Sequence, residues 1–336
     1  MAMALWKMFA RAVSASRGSI SVTAMPIINP GVHGSQFIFS RRYRRTLCMC
    51  SNKFEGETEP LMNEIPPLNA SALLKRHGLR ADKSLGQNFL QDPFALEAIA
   101  NAAEIQSTDT VLEIGPGLGS LTRYLAASAK EVVAVELDTD LLVPLKAVLA
   151  PYKNVRMIHG NILDLSPQKI MTENDYIVAA NIPYYITSAV IRHLLESDPK
   201  PRRIVLTIQK EVAERICARP GDLSLLALSV QVYGAPSIAA KIPANSFHPA
   251  PKVDSAILRI DIHKEPLIPV ELLDIFFKLI KAGFAQKRKT LRNSLSAGLH
   301  ISPQNSEALL TSAGIDFMRR AETLSIEEWK GLCEKR

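Results

Sequence analysis

Between residues 110 and 262 the chain repeats one pattern, in which a short apolar run is followed by a loop and then by apolar residues at helical spacing. The apolar runs occur in the segments "TVLEIGPGLG", "EVVAVELD", "NVRMIHGNILDL", "YIVAANIPYY" and "RRIVLTIQ". Such runs predict buried strands, whereas "DLLVPLKAVLA", "TSAVIRHLLES" and "KEVAERICA" predict helices. Strands that alternate with helices predict an α/β fold with a doubly wound, mainly parallel sheet.

The segments on either side of this repeat extend the prediction. "NASALLKRHGLRADKSLGQNFL" (residues 69–90) predicts a short helix and then a loop. "DPFALEAIANAAEI" (residues 92–105) predicts a helix, because an aspartate followed by proline is typical of a first helical turn. "LSLLALSVQVYG" and "DSAILRIDI" are predicted as two later strands.

After about residue 266 only helical patterns remain, in "ELLDIFFKLIKAGFAQKRKTLRNSL", "SEALLTSAGI" and "IEEWKGLCEK". We therefore predict three parts of the chain. These are a leader at 1–52, an α/β domain at 53–265 and a small helical domain at 266–336.

The leader differs in composition from the rest of the chain. Its serines and arginines are accompanied by no acidic residue before Glu55, and "LWKMFARAV" could form a basic amphipathic helix. This composition predicts an organelle transit peptide. The alternative is a basic arm that stays attached and touches RNA. The early charges are typical of mitochondrial leaders, but the serines and the ending "RRTLCMCS" favour a plastid.

The whole-chain numbers exclude some classes of protein. No apolar run approaches the 18 or so residues of a membrane span. The four cysteines, Cys48, Cys50, Cys217 and Cys333, form no metal-ligand spacing with histidines, so we expect neither a metal site nor a disulfide framework. A net charge of +7 permits nucleic-acid binding without demonstrating it.

A glycine-rich loop follows the first strand of the repeat. Gly115, Gly117 and Gly119 lie between strand and helix, where glycine lets the backbone approach a ligand and adopt positive φ. Glu136 ends the next strand, about 20 residues on. An acid at that position can accept hydrogen bonds from both ribose hydroxyls of an adenosine-type cofactor.

The type of cofactor follows from two details of this loop. Its glycines fall at every second position, which differs from the dinucleotide spacing. Glu113 stands just before the loop and suits a positively charged ligand rather than a pyrophosphate. S-adenosylmethionine, with an amino group and a sulfonium, fits this description. The alternative is a tight turn that holds no ligand.

The segment "ANIPYY" at residues 180–185 ends a strand with polar and aromatic residues. The Asn181 side-chain oxygen and the Ile182 carbonyl can accept hydrogen bonds from an adenine amino group and favour its nucleophilic form. Pro183 stiffens the turn, and Tyr184 can stack on a base drawn out of its helix. Tyr185 either packs inward or lines the mouth of the pocket. The simpler alternative is an ordinary turn with a tyrosine over the core.

Seven motifs in order resemble the ribosomal RNA adenine N6,N6-dimethyltransferase family of bacteria and organelles. The resemblance runs from about residue 84 to residue 329. The motifs lie between residues 83 and 295 and read "KSLGQNFL", "LEIGPGLGSLT", "AVELD", "ANIPYYI", "IQKEVAERI", "FHPAPKVDSA" and "FAQKRKTLRNSL". The resemblance implies a Rossmann-like class I S-adenosylmethionine-dependent methyltransferase with a small C-terminal helical domain. It also implies roles for individual residues.

By motif position, Asn88 and Leu90 would cover the methionine end of the cofactor, and Gly115 would lie beside it, with Gly117 in the same loop. Glu136 would hold the ribose. Asn181 would face both the cofactor and the target nitrogen.

The chain departs from the family pattern after the third strand of the repeat. The family usually has an aspartate there that contacts the adenine amino group, and this chain has Asn161 in "HGNILDL". An amide oxygen can accept the same hydrogen bond without a charge. Asp164 could supply the acid instead.

A run of basic residues in "QKRKTLRNSL" is the candidate RNA-binding surface, predicted to occupy about two turns of helix. Phosphate contacts of this kind position RNA rather than specify its sequence. Most charge runs are simply solvated helix faces. The residues predicted to contact RNA are Lys252, Lys287, Arg288, Lys289 and Arg292.

The resemblance implies dimethylation of two adjacent adenosines in a hairpin near the 3′ end of small-subunit ribosomal RNA. The expected partner is the immature small ribosomal subunit, and we expect a monomer that binds no membrane. Two alternatives belong to other classes. One is a methyltransferase-like ribosome-assembly or organellar transcription factor with little catalysis. The other is a small-molecule methyltransferase, against which the basic run and Tyr184 argue.

Overall fold

The computed structural model describes residues 65–171 and 173–336. The described residues fall within one compact unit. The predicted leader at 1–52 lies outside the described residues, and the domain boundary at 265/266 stays a prediction. Among the described helices, none is long and apolar enough to cross a membrane.

The central sheet has seven strands in the described part of the chain. They are β2 Thr110–Ile114, β3 Glu131–Glu136, β4 Val155–His159, β5 Tyr176–Asn181, β6 Arg203–Gln209, β7 Gly234–Ile242 and β9 Ser255–Ile262. Their order across the sheet is β4-β3-β2-β5-β6-β9-β7. Five neighbouring strands run parallel, and only β9, which pairs antiparallel with both β6 and β7 near one edge, runs in the opposite direction, so the prediction of a mainly parallel sheet is confirmed.

The middle strands are buried along nearly their whole length because both faces of the sheet are covered. Every residue of β2 is buried, and so are five of the six residues of β3 and of β5. Val, Ile and Ala fill most of these positions, as expected where a parallel strand is buried on both sides, and Glu113 is the charged exception in β2 beside the glycine loop. Because β2, β3, β4 and β5 are parallel, the loops that follow them all lie at the same edge of the sheet. The strand order reverses at β2, so the loops after β2 and β5 diverge there.

Helices surround the sheet and form a separate cluster at the C-terminus. The helices are α1 Ala70–Arg76, α2 Pro93–Ala103, α3 Ser120–Ser128, α4 Leu142–Leu149, α5 Pro167–Ile170, α6 Thr187–Glu196, α7 Lys210–Ile216, α8 Leu225–Gln231, α9 Leu273–Phe284, α10 Leu291–Leu299, α11 Pro303–Ser312 and α12 Ile326–Glu334. As predicted, Asp92 caps α2 by accepting a hydrogen bond from the Phe94 amide, with Pro93 in the first turn.

The prediction of a strand in "LSLLALSVQVYG" is wrong. This segment contains α8, which begins after Ser224, whose side chain accepts a hydrogen bond from the Ala227 amide. The strand β7 starts only at Gly234. Because α8 is apolar almost all round and mostly buried, its short run of residues cannot be distinguished from a buried strand by periodicity.

The helical segment predicted at residues 271–295 is two helices. The chain turns at 285–290, and α10 then packs back against α9. The contact is close, since a Cβ atom added to Gly298 would lie 2.6 Å from the Cα of Ala282. The apolar faces of the two helices meet in a core that includes Phe276 and the fully buried Trp329.

A small two-stranded sheet joins two distant segments. β1 (Phe89–Leu90) pairs antiparallel with β8 (Phe247–His248), with Leu90 opposite Phe247. Two further bonds support it: Gln91 N–H donates to the Ser246 carbonyl at 3.0 Å, and the Ser246 hydroxyl donates to Asp92 at 2.9 Å. The "GQNFL" and "FHPAP" motifs therefore form one wall beside the main sheet.

Candidate active site

A cavity opens at the carboxyl edge of the parallel strands, where the loops after β2 and β5 diverge. It contains about 1040 Å³ of empty space, part of it open to solvent. Its wall includes all the residues predicted for cofactor binding and catalysis. These are Asn88, Leu90, Gly115, Gly117, Glu136, Asn161, Asn181, Ile182, Pro183 and Tyr184.

The three loop glycines all have positive φ, but each faces a different neighbour. A Cβ atom at Gly115 would point into open space, so this glycine leaves room in the cavity. A Cβ at Gly117 would lie 3.1 Å from the Phe89 ring, and one at Gly119 would lie 3.1 Å from Leu145. Only Gly115 thus leaves space for a ligand at its own Cα, whereas the other two are needed for packing.

Glu136 is held in place by backbone donors. Its two carboxylate oxygens accept hydrogen bonds from the Gly117 amide at 2.9 Å and from the Asp138 amide at 2.8 Å. Burial raises the pKa of this carboxyl, and these backbone bonds partly offset the shift. Each oxygen has a further lone pair, so a ribose in the cavity could still be bound.

Glu113 is the most buried acid of the site, with 1% of its surface exposed. Burial raises its pKa from 4.5 to about 8, the Thr122 hydroxyl opposes the shift and the negative charge of Glu136 adds to it. One of its oxygens has no hydrogen-bond partner among the described residues. A buried acceptor without a partner is costly, so this position favours a ligand that brings a donor or a positive charge.

Asn181 ends β5 and is fixed by a contact with the loop before β1. Its Nδ2 donates to the backbone carbonyl of Asn88 at 3.0 Å, although 93 residues separate the two in sequence. Asn88 is itself oriented, since its Nδ2 donates to the Gly86 carbonyl at 3.0 Å. The donor end of the Asn181 amide is therefore engaged within the protein, and its oxygen is left for a ligand of the cavity.

Tyr184 is half-buried in the cavity wall, at the first position of a 3₁₀ turn that leads into α6. Its hydroxyl and the Ser255 hydroxyl lie 2.7 Å apart, within hydrogen-bonding distance. Ser255, at the start of β9, is fully buried. Burial also raises the pKa of Tyr184. The ring is thus anchored at its polar end, which leaves its orientation well defined.

Asn161 and Asp164 occupy different positions relative to the cavity. Asn161 lies in the wall, and its side-chain oxygen accepts a hydrogen bond from the Leu163 amide at 3.1 Å. Its Nδ2 donates to Asp164 at 2.9 Å. Asp164 is exposed and is not part of the wall. Asp164 therefore does not line the cavity itself, but its carboxylate orients the Asn161 amide, which does.

The basic residues predicted to contact RNA lie outside the cavity wall. Lys287, Arg288 and Lys289 are exposed, but they occupy the turn between α9 and α10, so their predicted place within a helix is wrong. Their turn reverses the chain so that α10 can bury its apolar face. Arg292 pairs with Glu307 at 3.2 Å and stacks over Phe317, and Lys252 is exposed in the loop before β9.

Sequence reasoning missed two supporting residues and left a third without a role. Phe89 fills the space above Gly117, and Ser255 anchors Tyr184. Both lie in quoted motifs, but no local pattern shows which distant residue they touch. Tyr185 has 63% of its surface exposed and lines the mouth of the cavity, which is one of the two placements predicted for it.

The site fits S-adenosylmethionine. Glu113 has a buried acceptor to offer the cationic methionine end, Gly115 leaves space beside it, and Glu136 stands where a ribose would be held. When bound, S-adenosylmethionine supplies an electrophilic methyl group. A parallel sheet with a glycine loop after its first strand and an acid at the end of the second defines a Rossmann-like class I methyltransferase.

Comparison with known proteins identifies the family. The model of the ribosomal RNA adenine dimethylase family matches residues 78–335. The ribosomal RNA small subunit methyltransferase A of Dehalococcoides mccartyi is 48% identical over 271 residues, which is 80% of this chain and 93% of that protein. The enzyme of the same name from Alkaliphilus metalliredigens is 40% identical over 81% of this chain and 97% of that protein.

Two solved structures are also similar. The 23S rRNA methyltransferase ErmE has a TM-score of 0.61 and 31% identity, covering 74% of this chain and 99% of that one. A dimethyladenosine transferase from Plasmodium falciparum has a TM-score of 0.62 and 28% identity, covering 73% and 95%. This chain belongs to the ribosomal RNA adenine dimethylase family. It is an S-adenosylmethionine-dependent enzyme that methylates adenine in ribosomal RNA, which confirms the predicted fold class, enzyme class and cofactor.

Proposed function

We propose that this enzyme dimethylates N6 of two adjacent adenosines in the 3′-terminal hairpin of small-subunit ribosomal RNA, and that it acts during ribosome biogenesis. The observation that carries the proposal is the Asn181 amide. Its donor end is fixed on the Asn88 carbonyl, its oxygen has no hydrogen-bond partner among the described residues, and Asn181 lines the cofactor cavity. The names of the bacterial relatives, which are small-subunit enzymes, support the choice of subunit.

In this proposal the chain's own residues align and polarise the target base. The Asn181 oxygen and the Ile182 carbonyl accept hydrogen bonds from the adenine amino group and stabilise the positive charge that develops on its nitrogen. Tyr184 stacks on the base and holds the nitrogen in line for the displacement. The amino nitrogen forms a bond to the methyl carbon, the bond between that carbon and sulfur breaks, and the nitrogen then loses a proton to solvent.

The test is to incubate the purified chain with labelled S-adenosylmethionine and immature small ribosomal subunits. N6,N6-dimethyladenosine should form at two adjacent positions near the 3′ end of the RNA. The Asn181→Ala variant should form none while keeping its folded circular-dichroism spectrum, and Asn101→Ala, which removes an exposed amide on α2, should be fully active. Methylation elsewhere, or of free nucleosides only, would contradict the substrate assignment.

We also propose that residues 1–52 are an organelle transit peptide, with a plastid favoured over a mitochondrion. The proposal is supported by the absence of acidic residues before Glu55, and the family match starts only at residue 78. A fusion of residues 1–60 to a fluorescent protein should accumulate in plastids. Mitochondrial accumulation would overturn the choice of organelle, and a diffuse cytosolic signal would overturn the transit peptide itself.

We further propose that the enzyme acts as a monomer on the immature subunit. Light scattering on the purified chain should give a mass near 37.0 kDa for the full-length form. A mass twice as large would contradict this.

A further inference from the structure

Two consecutive tyrosines at the cavity have opposite environments. Tyr184 is half-buried and bonded to Ser255, whereas Tyr185 has 63% of its surface exposed while still lining the cavity mouth. An aromatic ring at the entrance of a nucleic-acid site offers a face on which a base can stack. The proposed mechanism gives Tyr184 a task and leaves Tyr185 without one.

The Tyr185 ring lies against the backbone of Gly86, which leaves little room for a side chain at that position. A Cβ atom added to Gly86 would lie 3.3 Å from the Cδ1 and Cε1 atoms of Tyr185, and equally close to the Cβ of Pro183. Gly86 also has a φ of +64°, which favours glycine. The ring is therefore supported by Gly86 on one part of its surface and open to solvent on the rest.

This support is stiff because residues 82–87 form a closed hydrogen-bonded loop. Gly86 N–H donates to the Lys83 carbonyl at 3.2 Å, and Gln87 N–H donates to the Asp82 carbonyl at 3.1 Å. The Gln87 side chain accepts from the Asp82 amide at 2.8 Å and donates to Asp138 at 2.6 Å, which ties the loop to the end of β3. A preorganised platform binds a partner with less loss of entropy than a mobile one.

Positive charge accompanies the ring. Lys83 lies on the same turn as Gly86, and Arg80 precedes it; both side chains are exposed, and neither forms an ion pair among the described residues. The nearest acid in sequence, Asp82, keeps its negative charge but forms no ion pair with either cation among the described residues, and its Oδ1 accepts hydrogen bonds from the amide and the hydroxyl of Ser84, both at 2.7 Å. These bonds lower the pKa of Asp82. An exposed ring beside unpaired cations is the combination that binds single-stranded nucleic acid, by stacking and by phosphate contacts.

We propose that Tyr185 is a stacking platform for the nucleobase next to the target adenosine, with Lys83 and Arg80 holding the flanking phosphates. The inference rests on the proposed function and deepens it, because it assigns a second base-binding position at the mouth of the same cavity. While one of two adjacent adenosines lies against Tyr184, the other stacks on Tyr185. This arrangement keeps the second adenosine unpaired and close to the cavity, where it is methylated after the first.

The inference predicts a specific loss in the Tyr185→Ala variant. Stacking of one base is worth about 1–3 kcal/mol, so the affinity for unpaired RNA should fall by about 5- to 150-fold. Tyr185→Phe, which keeps the ring, should bind as the unchanged protein does. Affinity for S-adenosylmethionine and the melting temperature should not change in either variant.

The experiment uses a short single-stranded RNA with two adjacent adenosines, one replaced by the fluorescent analogue 2-aminopurine. The purified chain, with S-adenosylhomocysteine present, should quench this fluorescence on binding, and Tyr185→Ala should quench it less, keeping only the part that is due to Tyr184. Phe94→Ala serves as the matched control, because it removes a ring that is 82% exposed but does not line the cavity. Equal quenching by the protein and by Tyr185→Ala would overturn the inference.

The charge component is tested by Lys83→Ala against Lys264→Ala. Lys264 follows β9 at the end opposite Ser255, and therefore at the far edge of the sheet. Only Lys83→Ala should weaken RNA binding and reduce its dependence on salt. The failure of the proposed function and the failure of this inference give different results. If the proposed function is wrong, the unchanged protein will not dimethylate small-subunit RNA. If only the inference is wrong, the Tyr185→Ala variant will keep that activity and its affinity for RNA will be unchanged.

Discussion

The hydroxyls of Tyr184 and Ser255 lie 2.7 Å apart and join the loop after β5 to the first residue of β9, although 71 residues separate them in sequence. Ser255 is fully buried, so its hydroxyl cannot exchange this hydrogen bond for one with solvent. The bond fixes the polar end of the ring that we propose to stack on the target adenine. Ser255 is therefore a positioning residue for Tyr184.

This bond predicts non-additive effects in a double-mutant cycle. Tyr184→Phe and Ser255→Ala should each leave one hydroxyl without its partner and lower kcat/KM for RNA several-fold, whereas the double variant leaves no orphaned group. We expect a coupling energy of about 0.5–3 kcal/mol, measured from kcat/KM of all four proteins. Affinity for S-adenosylmethionine should stay constant, and strictly additive losses would contradict the positioning role.

The contact between Asn181 and Asn88 predicts that a carboxylate cannot replace the amide. Asn181→Asp removes the donor and places a negative charge near the Asn88 carbonyl, so the side chain should turn away from its present position. We expect a loss in kcat of at least about tenfold, since removal of one oriented group at a reacting centre costs about 10²–10³. Single-turnover methylation of small subunits measures this step. Asn101→Asp, on the exposed face of α2, should retain full activity.

Glu113 predicts a pH-dependent stability of the cofactor-free protein. Its pKa is about 8 in the folded state against an ordinary value of 4.5, so the folded state keeps a proton that the unfolded state releases. Stability from this carboxyl is therefore complete below pH 4.5 and is lost as the pH rises toward 8, with a slope of up to about 1.4 kcal/mol per pH unit.

Urea unfolding of the cofactor-free protein between pH 5 and pH 8 tests this expectation. Glu113→Gln cannot ionise and should lose most of the slope. Glu136, whose pKa is also raised, remains in that variant, so the difference between the two proteins reports on Glu113 together with its coupling to Glu136. The same slope in both proteins would contradict the buried, protonated state of Glu113.

The two glycines Gly115 and Gly117 predict opposite consequences of the same substitution. Both have positive φ, which costs an alanine about 1–2 kcal/mol. Gly117→Ala should cost more stability, because its Cβ would also press on the Phe89 ring. Gly115→Ala meets no atom of the protein but enters the cavity, so it should weaken S-adenosylmethionine binding more. Calorimetry of binding and thermal unfolding of both variants separate the two effects.

The turn at 285–290 predicts a salt-dependent contribution to RNA binding. Replacing Lys287, Arg288 and Lys289 by alanine should lower the slope of log affinity against log salt by up to about 2, at about 0.7 per phosphate contact on single-stranded RNA. Arg292→Ala is the informative comparison. Because Arg292 is paired with Glu307 and stacked on Phe317, its loss should reduce stability more than it changes the salt slope.

Local patterns were sufficient where neighbours in sequence decide the structure. The apolar runs predicted the strands of the parallel sheet correctly, because a strand buried on both faces needs a continuous apolar segment. The same criterion failed at α8, where a buried helix shows an equally continuous run. It also failed at 285–290, since nothing local shows that α10 must fold back on α9.

By itself, the sequence determined the alternation of strands and helices from β2 to α7, the glycine loop with its positive-φ positions, and the residue types at each strand end. These features depend on short-range sterics and on side-chain chemistry. Only the tertiary structure decided that Asn88 orients Asn181, that Ser255 anchors Tyr184, that Phe89 closes over Gly117 and that Tyr185 faces outward. Each of these depends on packing between segments far apart in the chain, where contact is decided by how the sheet and its loops assemble.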